Sequence, residues 1–331
     1  MTDVIQVSAL VRKFDEFTAV NAVSFDVPEG EIFGFLGPNG AGKSTTINML
    51  CTLLKPTSGS AVVNGFDVAT KQADVRRSIG LIFQDPTLDE RLTGWQNLQF
   101  HAMLYDVPED VFSERSAELL DMVDLTDKVR DDVRSFSGGM KRRLEIARGL
   151  LHRPKVLFLD EPTIGLDPQT RRHIWEYLAR VRGQEGLTLF LTTHYMEEAE
   201  ICDRIAIIDH GEIVALDTPD KLKAMVGGDV VTLCTNDDER AMEVLASLDS
   251  KPQKTEDGLR IEIDHGDRFI PAILRTMEEL DPPVAVSSVN LRRPTLEDVF
   301  VKLTGRAIRE EEANPVDMMR RRARMMGGGR R

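Results

Sequence analysis

Cysteine is scarce in this sequence, which argues against a disulfide-rich protein and against a cysteine-based zinc protein. Cys51, Cys202 and Cys234 are the three cysteines of 331 residues, and none of them belongs to a CxxC pair. A disulfide framework and a cysteine-based zinc site are therefore not indicated, and the composition suits a reducing cytosol. No window approaches the roughly 18 uninterrupted apolar residues of a membrane span, and the N-terminus lacks a signal-peptide core, so we expect no membrane-spanning segment.

Basic residues are too few to suggest a nucleic-acid partner. The chain has 42 Lys and Arg against 55 Asp and Glu, which gives a formal net charge of -13. A protein that neutralises nucleic-acid phosphates usually displays a basic face, so we expect no nucleic acid among the partners. The length is that of two ordinary domains, each able to bury its own core.

A glycine-rich motif is the most informative feature that is present. It matches the GxxxxGK[ST] pattern of a phosphate-binding loop and consists of Gly37, Pro38, Asn39, Gly40, Ala41, Gly42, Lys43, Ser44 and Thr45. The glycines let the backbone turn its N–H groups inward, and a helix that begins near Lys43 adds the positive end of its dipole. We expect Lys43 to bind the β- and γ-phosphates of ATP or GTP, Ser44 to coordinate Mg²⁺, and Thr45 to extend the cradle.

The apolar pattern around this motif predicts an α/β fold. A short apolar run at 31–36 precedes the loop and a segment of helical spacing follows it, as a strand, loop and helix require. Continuous apolar runs further along are typical of parallel strands that are covered on both faces. These runs span 155–159, 187–191 and 205–208. Alternating or β-rich segments at 4–11 and 20–27, together with 61–63, instead predict an antiparallel sheet beside the loop.

The composition divides the chain into three parts. Residues 1–225 form the nucleotide-binding domain, in which helical periodicity from about 85 to 150 predicts an inserted helical subdomain. Residues 226–304 alternate strand-like and helical segments and predict a small α+β domain. Residues 305–331 are charged and lack apolar periodicity, so we expect a disordered tail. Its arginines are either solvated or in contact with anionic lipid.

Two adjacent acidic residues follow one of the predicted parallel strands. Asp160 and Glu161 lie at its carboxyl end, where open α/β sheets bind their ligands. We expect Asp160 to organise the Mg²⁺ shell and Glu161 to polarise a water in line with the γ-phosphate, which predicts hydrolysis rather than binding alone. The structural alternative is that the two acids cap the turn before Pro162.

A second anion site is suggested by Ser137, Gly138 and Gly139. These residues open a segment with helical apolar spacing, so a hydroxyl and two unhindered N–H groups would lie at a helix N-terminus. Taken alone, the triplet is a weak signal that an ordinary flexible helix cap would also produce.

With these motifs in this order, the sequence strongly resembles the nucleotide-binding subunits of ABC transporters over roughly residues 4–225. The family's signature usually reads LSGGQ, so Phe136 and Met140 are departures here. Other positions match the family in order and spacing: Phe14 is similar to the aromatic that stacks on adenine, Gln84 to the Q-loop glutamine, Asp167 to the D-loop aspartate, and His194 to the switch histidine. The structural alternatives are a core phenylalanine, a surface glutamine and a histidine that merely ends a strand.

The resemblance implies a fold and a division of labour. The fold would be a P-loop NTPase ABC cassette with a RecA-like parallel core, an antiparallel β subdomain and an inserted helical subdomain, followed by a small α+β C-terminal domain. The active form would be a homodimer or a pair with another ATPase subunit. In that dimer, the Ser137–Gly138–Gly139 segment of one copy would close on the ATP held by the other. The roles implied are catalytic for Glu161, His194 and Gln84, Mg²⁺-binding for Ser44, Gln84 and Asp160, and nucleotide-binding for Phe14 and Asp167.

The resemblance also implies a separate membrane partner. Because the chain has no expected span, the motion produced by hydrolysis would pass to a permease, with this subunit peripheral at the cytoplasmic face of the membrane. The expected contacts lie in the helical subdomain and in the segment 85–97, where Arg91, Leu92 and Trp95 are the candidates.

Two blocks, at 158–168 and 294–300, are similar to the daunorubicin-resistance type of drug-export ATPase, which favours export of a drug, an antibiotic or another hydrophobic compound. The alternative is an ABC ATPase that acts on DNA or ribosomes. DNA-acting members place long coiled coils between phosphate loop and signature, whereas Lys43 and Ser137 are 94 positions apart here. Ribosome-acting members carry two cassettes. A third possibility is a regulatory module in which the domain at 230–304 binds a ligand and hydrolysis only gates it.

Overall fold

The computed structural model describes residues 2–247, 250, 252–255 and 258–305. The described residues fall into two compact units, one that ends at Asp217 and one that begins at Thr218. The sequence predicted the boundary after residue 225. Of the tail predicted at 305–331, the structure describes Gly305, which caps the C-terminus of the last helix; the remaining residues, 306–331, lie outside the described residues.

The strands are β1 (Asp3–Phe14), β2 (Phe17–Pro28), β3 (Ile32–Leu36), β4 (Ser58–Val63), β5 (Phe66–Asp67), β6 (Ile79–Ile82), β7 (Val156–Asp160), β8 (Thr188–Thr193), β9 (Arg204–Asp209), β10 (Glu212–Asp217), β11 (Asp229–Thr235), β12 (Gln253–Thr255), β13 (Gly258–Ile263) and β14 (Val286–Arg292). The helices are α1 (Lys43–Leu50), α2 (Gln72–Ser78), α3 (Gly94–Leu104), α4 (Glu109–Met122), α5 (Gly138–Leu150), α6 (Pro168–Glu185), α7 (Met196–Ala199), α8 (Pro219–Ala224), α9 (Asp238–Ser247), α10 (Gly266–Glu278) and α11 (Leu296–Thr304).

A parallel sheet forms the centre of the first unit and confirms the predicted α/β fold class. Its strand order is β10-β9-β3-β8-β7-β6, in which β10 alone runs antiparallel to its neighbour. Every residue of β3, β7 and β8 is buried, as the continuous apolar runs predicted for strands covered on both faces. The carboxyl ends of β3, β8, β7 and β6 meet at one edge of the sheet, and the candidate site lies there.

The predicted antiparallel sheet packs on this core. Its order is β2-β1-β4-β5, and Phe25 of β2 stacks on Phe33 of β3 with ring centroids 5.3 Å apart. Phe35 and Phe190 join the same group of rings, all of them buried. Because apolar rings on two sheets share one core, the antiparallel sheet is held against the strand that leads into the phosphate loop.

Helices α3, α4 and α5 form the inserted helical subdomain. A capping box at Thr93 and Gln96 starts α3, and Trp95 packs on Phe112 of α4 with ring centroids 5.0 Å apart. The β-pairing found between residues 85 and 150 is one isolated bridge, from Thr93 to Asp132. The helical periodicity of the sequence therefore predicted the structure of this region well.

The second unit is built on a βαββαβ arrangement. Its sheet order is β12-β13-β11-β14, with all pairs antiparallel, and α9 and α10 supply Ala241, Leu245, Ile273 and Met277 to its buried core. Helix α8 belongs to this unit because it packs on α11, and Lys302 donates to the carbonyls of Met225 and Val226. These contacts explain why the unit begins at Thr218 rather than at 226.

Candidate active site

The loop between β3 and α1 can adopt its conformation only with glycine at particular positions. Gly40 and Gly42 have φ of 86° and 110°, in the left-handed region that side chains disfavour. A Cβ on Gly37 would lie 2.3 Å from the carbonyl oxygen of Ile208, and one on Gly42 would lie 2.6 Å from that of Ala19. The backbone is therefore packed closely around a cradle that opens onto the N-terminus of α1, which is the geometry that binds phosphate.

The Lys43 side chain is buried within this loop. Its Nζ donates to the carbonyls of Gly37 at 2.7 Å and Pro38 at 3.1 Å, and it lies 3.3 Å from Oε1 of Glu161. Burial lowers the pKa of Lys43 from its ordinary value, and the nearby Glu161 carboxylate acts in the opposite direction. The ammonium is thus held inside the loop, beside the predicted catalytic carboxylate.

Ser44 and Asp160 meet across the sheet edge. Ser44 Oγ donates to Oδ1 of Asp160 at 3.2 Å, and the same carboxylate oxygen accepts from the hydroxyl of Thr192. Burial raises the pKa of Asp160, while the two hydroxyl donors lower it in part. Two oxygen ligands of the kind that Mg²⁺ prefers are therefore adjacent, so this donor set fits that ion.

Glu161 lies at the centre of the cluster. Its carboxylate is within 3.3 Å of Lys43 Nζ, accepts a 3.2 Å hydrogen bond from Nε2 of Gln84, and lies 3.2 Å from Nδ1 of His194. Burial acts to raise the pKa of Glu161, but the hydrogen bond from His194 and the charge of Lys43 outweigh it and bring the pKa below its ordinary value. The carboxylate is therefore ionised at neutral pH, as a general base must be.

The backbone of Glu161 is in a conformation that non-glycine residues seldom adopt. Its φ is 47°, and its N–H donates to the carbonyl oxygen and the hydroxyl of Thr192 at 3.2 and 3.1 Å. Such backbone strain persists only where neighbouring contacts enforce it. Thr192, which the sequence analysis did not identify, thus holds both Asp160 and Glu161. It lies opposite Asp160 in the next strand, a register that the structure shows and the local sequence does not.

The remaining predicted residues lie outside this cluster. Ser137 caps α5 by accepting from Met140 N at 3.2 Å, and Asp167 caps α6 through Gln169 N and Thr170 N. Both residues are exposed. A Cβ on Gly139 would lie 2.9 Å from a methyl carbon of Thr170, so the two caps are neighbours in one protomer.

Phe14 is at the end of β1 and is 39% exposed, which excludes the alternative that it is a core residue. The guanidinium of Arg12 lies 4.4 Å from the centre of its ring. An exposed aromatic ring with a cation against it is available for stacking on a planar group.

A cavity of about 230 Å³ opens in the helical subdomain, beyond the segment that carries Gln84. It is lined by Thr87, Asp89, Leu92, Asn97, Phe100, His101, Leu104 and Arg148. Of the three expected permease contacts, Leu92 lines the cavity and Arg91 is exposed, whereas Trp95 packs on Phe112 inside the subdomain. The exposed apolar side chains here are Phe100, Met103 and Leu104, which the sequence analysis did not identify.

Within the described part of the chain, none of the helices combines the length and the hydropathy of a membrane span.

Comparison with known proteins matches both units. A family model described as ABC transporter matches residues 20–164, and a second, described as ATP-binding protein DrrA1-3-like, C-terminal domain, matches residues 218–304. The linearmycin resistance ATP-binding protein LnrL of Bacillus subtilis (strain 168) is 37% identical over 313 residues, which cover 92% of this chain and 100% of that protein. The daunorubicin resistance ATP-binding protein DrrA2 of Streptomyces coeruleorubidus is 41% identical over 317 residues, covering 93% and 97%.

Solved structures agree with this result. A structure described as the ATP binding subunit of an ABC transporter superposes with a TM-score of 0.62 and 30% identity, over 67% of this chain and 92% of that chain. The cassette MJ0796, described as dimeric and bound to ADP and Pi in a post-hydrolysis state, gives a TM-score of 0.60 and 27% identity, over 65% and 98%.

Proposed function

The chain belongs to the ATP-binding subunits of ABC transporters, and from that premise we propose that it powers the export of a hydrophobic drug-like compound through a separate membrane permease. Members of the family bind and hydrolyse ATP, and this chain is an ATPase of that kind. Two of its relatives are named for resistance to linearmycin and daunorubicin, and these names support a drug-like cargo. The same names favour transport over action on DNA or ribosomes.

The observation that carries the catalytic assignment is the set of contacts around Glu161. We propose that the ionised carboxylate takes a proton from the attacking water while the oxygen of that water forms a bond to the γ-phosphorus. The bond from that phosphorus to the bridging oxygen of ADP breaks in the same reaction, and ADP leaves with the electron pair. Gln84 and His194 orient the carboxylate through hydrogen bonds, and Lys43 neutralises phosphate charge.

Mg²⁺ is part of the same proposal. Ser44, Asp160 and Gln84 would hold the ion, which would neutralise negative charge on the phosphates of ATP. The pairing of Ser44 with Asp160 supports this because it brings two oxygen ligands within 3.2 Å of each other. Phe14 would stack on the adenine ring, and its exposure supports that role.

We propose that two copies share each active site. Ser137, Gly138 and Gly139 are at a helix N-terminus, where Ser137 and Gly138 are exposed and nothing lies within 4 Å of the Cβ position of Gly138, so their anion-binding groups are available to a second subunit. The exposed Asp167 lies beside them and would belong to the same interface. The match to a cassette described as dimeric supports this arrangement.

The permease would dock on the cavity of the helical subdomain. Phe100, Met103 and Leu104 expose 59%, 72% and 64% of their surfaces, an unusual concentration for one helix end. A short apolar helix from a membrane protein fits such a surface, and docking there would place this chain at the cytoplasmic face of the membrane as a peripheral subunit.

Copurification tests the proposal. The tagged chain is extracted from its native membrane in mild detergent, the accompanying membrane protein is identified, and hydrophobic compounds are screened for stimulation of ATPase activity. We expect one permease and stimulation by a drug-like compound. Active ATPase without any membrane companion would contradict the transport function.

A further inference from the structure

One face of α5 holds the segment that carries Gln84. Arg142, Glu145 and Arg148 are spaced at i, i+3 and i+6, so they lie along one side of the helix. Residues 83–87 follow β6, and this helix face contacts them at both ends.

Arg142 joins the two backbone segments that carry Gln84 and Glu161. The residue is only 6% exposed, yet its Nη1 donates to the carbonyl of Phe83 and its Nε to the carbonyl of Pro162, each at 2.5 Å. A guanidinium is a rigid plane with fixed donor directions. It therefore sets the separation between the residue before Gln84 and the residue after Glu161.

Glu145 and Arg148 hold the other end of the segment. Glu145 is 1% exposed; its Oε1 accepts from the N–H of Thr87 at 2.6 Å, and its Oε2 lies 3.2 Å from Nη1 of Arg142. Arg148 donates to the carbonyl of Thr87 at 3.0 Å. Both backbone polar groups of Thr87 are thus bound by α5.

We propose that Arg142 and Glu145 are positioning residues for ATP hydrolysis, which hold the Gln84 amide against the Glu161 carboxylate by fixing the backbone on both sides of it. Gln84 itself is exposed and reaches Glu161 through one 3.2 Å hydrogen bond. A shift of about 0.5 Å in its backbone would take that contact beyond hydrogen-bond distance. The inference rests on the proposed roles of Gln84 and Glu161 and is independent of the permease.

Helix α5 also connects the Gln84 segment to two other surfaces of the subunit. Its N-cap is Ser137, which we assign to the partner's nucleotide, and Thr87 and Arg148 line the cavity of the helical subdomain. A single helix therefore links the Gln84 segment to both surfaces at which this subunit would meet other chains.

The neighbouring Arg143 provides a matched control. It is on the same helix but its Nη1 donates to the carbonyl of Val123 at 2.8 Å, away from the Gln84 segment. Arg142→Met is expected to lower kcat by about tenfold or more, the effect of losing a hydrogen bond to a charged group, with ATP affinity within about twofold of wild type. Arg143→Met is expected to change kcat by less than about twofold.

A second variant guards against misfolding. Arg142→Met leaves the buried carboxylate of Glu145 unpaired, which is strongly destabilising, whereas Arg142→Met with Glu145→Met removes both charges and is compatible with folding. The double variant still lacks the guanidinium hydrogen bonds to the carbonyls of Phe83 and Pro162. We expect it to melt near the wild-type temperature, to bind a fluorescent ATP analogue normally, and to share the reduced kcat.

A mutant cycle with Gln84→Ala separates positioning from general destabilisation. If Arg142 acts through Gln84, adding Arg142→Met to Gln84→Ala will lower kcat by less than about twofold further. A full, independent loss of kcat in that background, or a loss of ATP affinity in proportion to kcat, would overturn the inference. Unchanged turnover in Gln84→Ala and Glu161→Gln would instead refute the proposed catalytic roles, so the two failures are distinguishable.

Discussion

Replacing Glu161 by Gln is the sharpest perturbation of the active site, because the amide keeps the shape of the side chain and loses its basicity. The backbone hydrogen bonds of residue 161 to Thr192 would remain, so the strained turn is expected to survive. Only residue 161 becomes neutral, so its contacts to Lys43 and His194 become contacts to an uncharged amide. Folding and the phosphate loop are therefore largely unchanged.

The magnitude follows from the two roles of the carboxylate. A positioned general base contributes about 10²–10⁴-fold to the rate, which corresponds to about 3–5 kcal/mol of activation free energy. The Lys43 ammonium lies 3.3 Å from Oε1 and would no longer be held by a carboxylate. Since that attraction competes with phosphate for the ammonium, we expect ATP affinity to stay equal or to increase.

Phosphate release and nucleotide binding measured on the same preparation test this prediction. Turnover should fall at least about a hundredfold while the Kd for ATP stays at or below the wild-type value. A Glu161→Gln protein that hydrolyses ATP within about threefold of wild type would refute the base assignment, and a large loss of affinity would show that the substitution damaged the phosphate loop.

The other predictions concern the remaining surfaces. Ser137→Arg should abolish hydrolysis and leave nucleotide binding by the monomer intact; weaker monomer binding would argue against a shared site. Gly42→Ala, whose methyl would lie 2.6 Å from a backbone carbonyl, should lower ATP affinity at least about tenfold, whereas Gly30→Ala, also at positive φ but with nothing within 4 Å, should keep it. Phe100→Glu should release the permease from the detergent-purified complex without changing the Kd for ATP; retention of the permease would place docking elsewhere. A chain that ends at Asp217 should remain a folded ATP binder with impaired pairing to its dimer or permease partner, and a fully competent truncated complex would show that the second unit is dispensable.

The parts of the fold that carry the phosphate chemistry were predictable because their signals are local. The glycine motif, the apolar strands and the acidic pair at 160–161 each occupy a few consecutive residues, and parallel strand topology brings their ends together. Residues whose role depends on tertiary position were not predictable in this way. Thr192 is one more residue of an apolar strand until its register opposite Asp160 is known.

Charged residues of α5 were missed for a related reason. Arg142 and Glu145 have the spacing of a solvated helix face, and only the structure shows that they are 6% and 1% exposed. In the second unit, the adjacent Ser287 and Ser288 interrupt the polar–apolar alternation of β14, which holds only from Ser288 to Arg292, and the segment was not recognised as a strand. Its pairing with β11 supplies the backbone partners that identify it.

The central claim, that two chains form each active site together, is tested most directly by mixing two inactive variants. Lys43→Ala lacks the phosphate-binding ammonium, and Ser137→Arg lacks the group that serves the partner. A mixed dimer would contain one intact shared site, so random pairing at equal amounts predicts recovery of about a quarter of wild-type hydrolysis. If the mixture stays as inactive as its components although mixed dimers are present, each site is contained in a single chain and the account is contradicted.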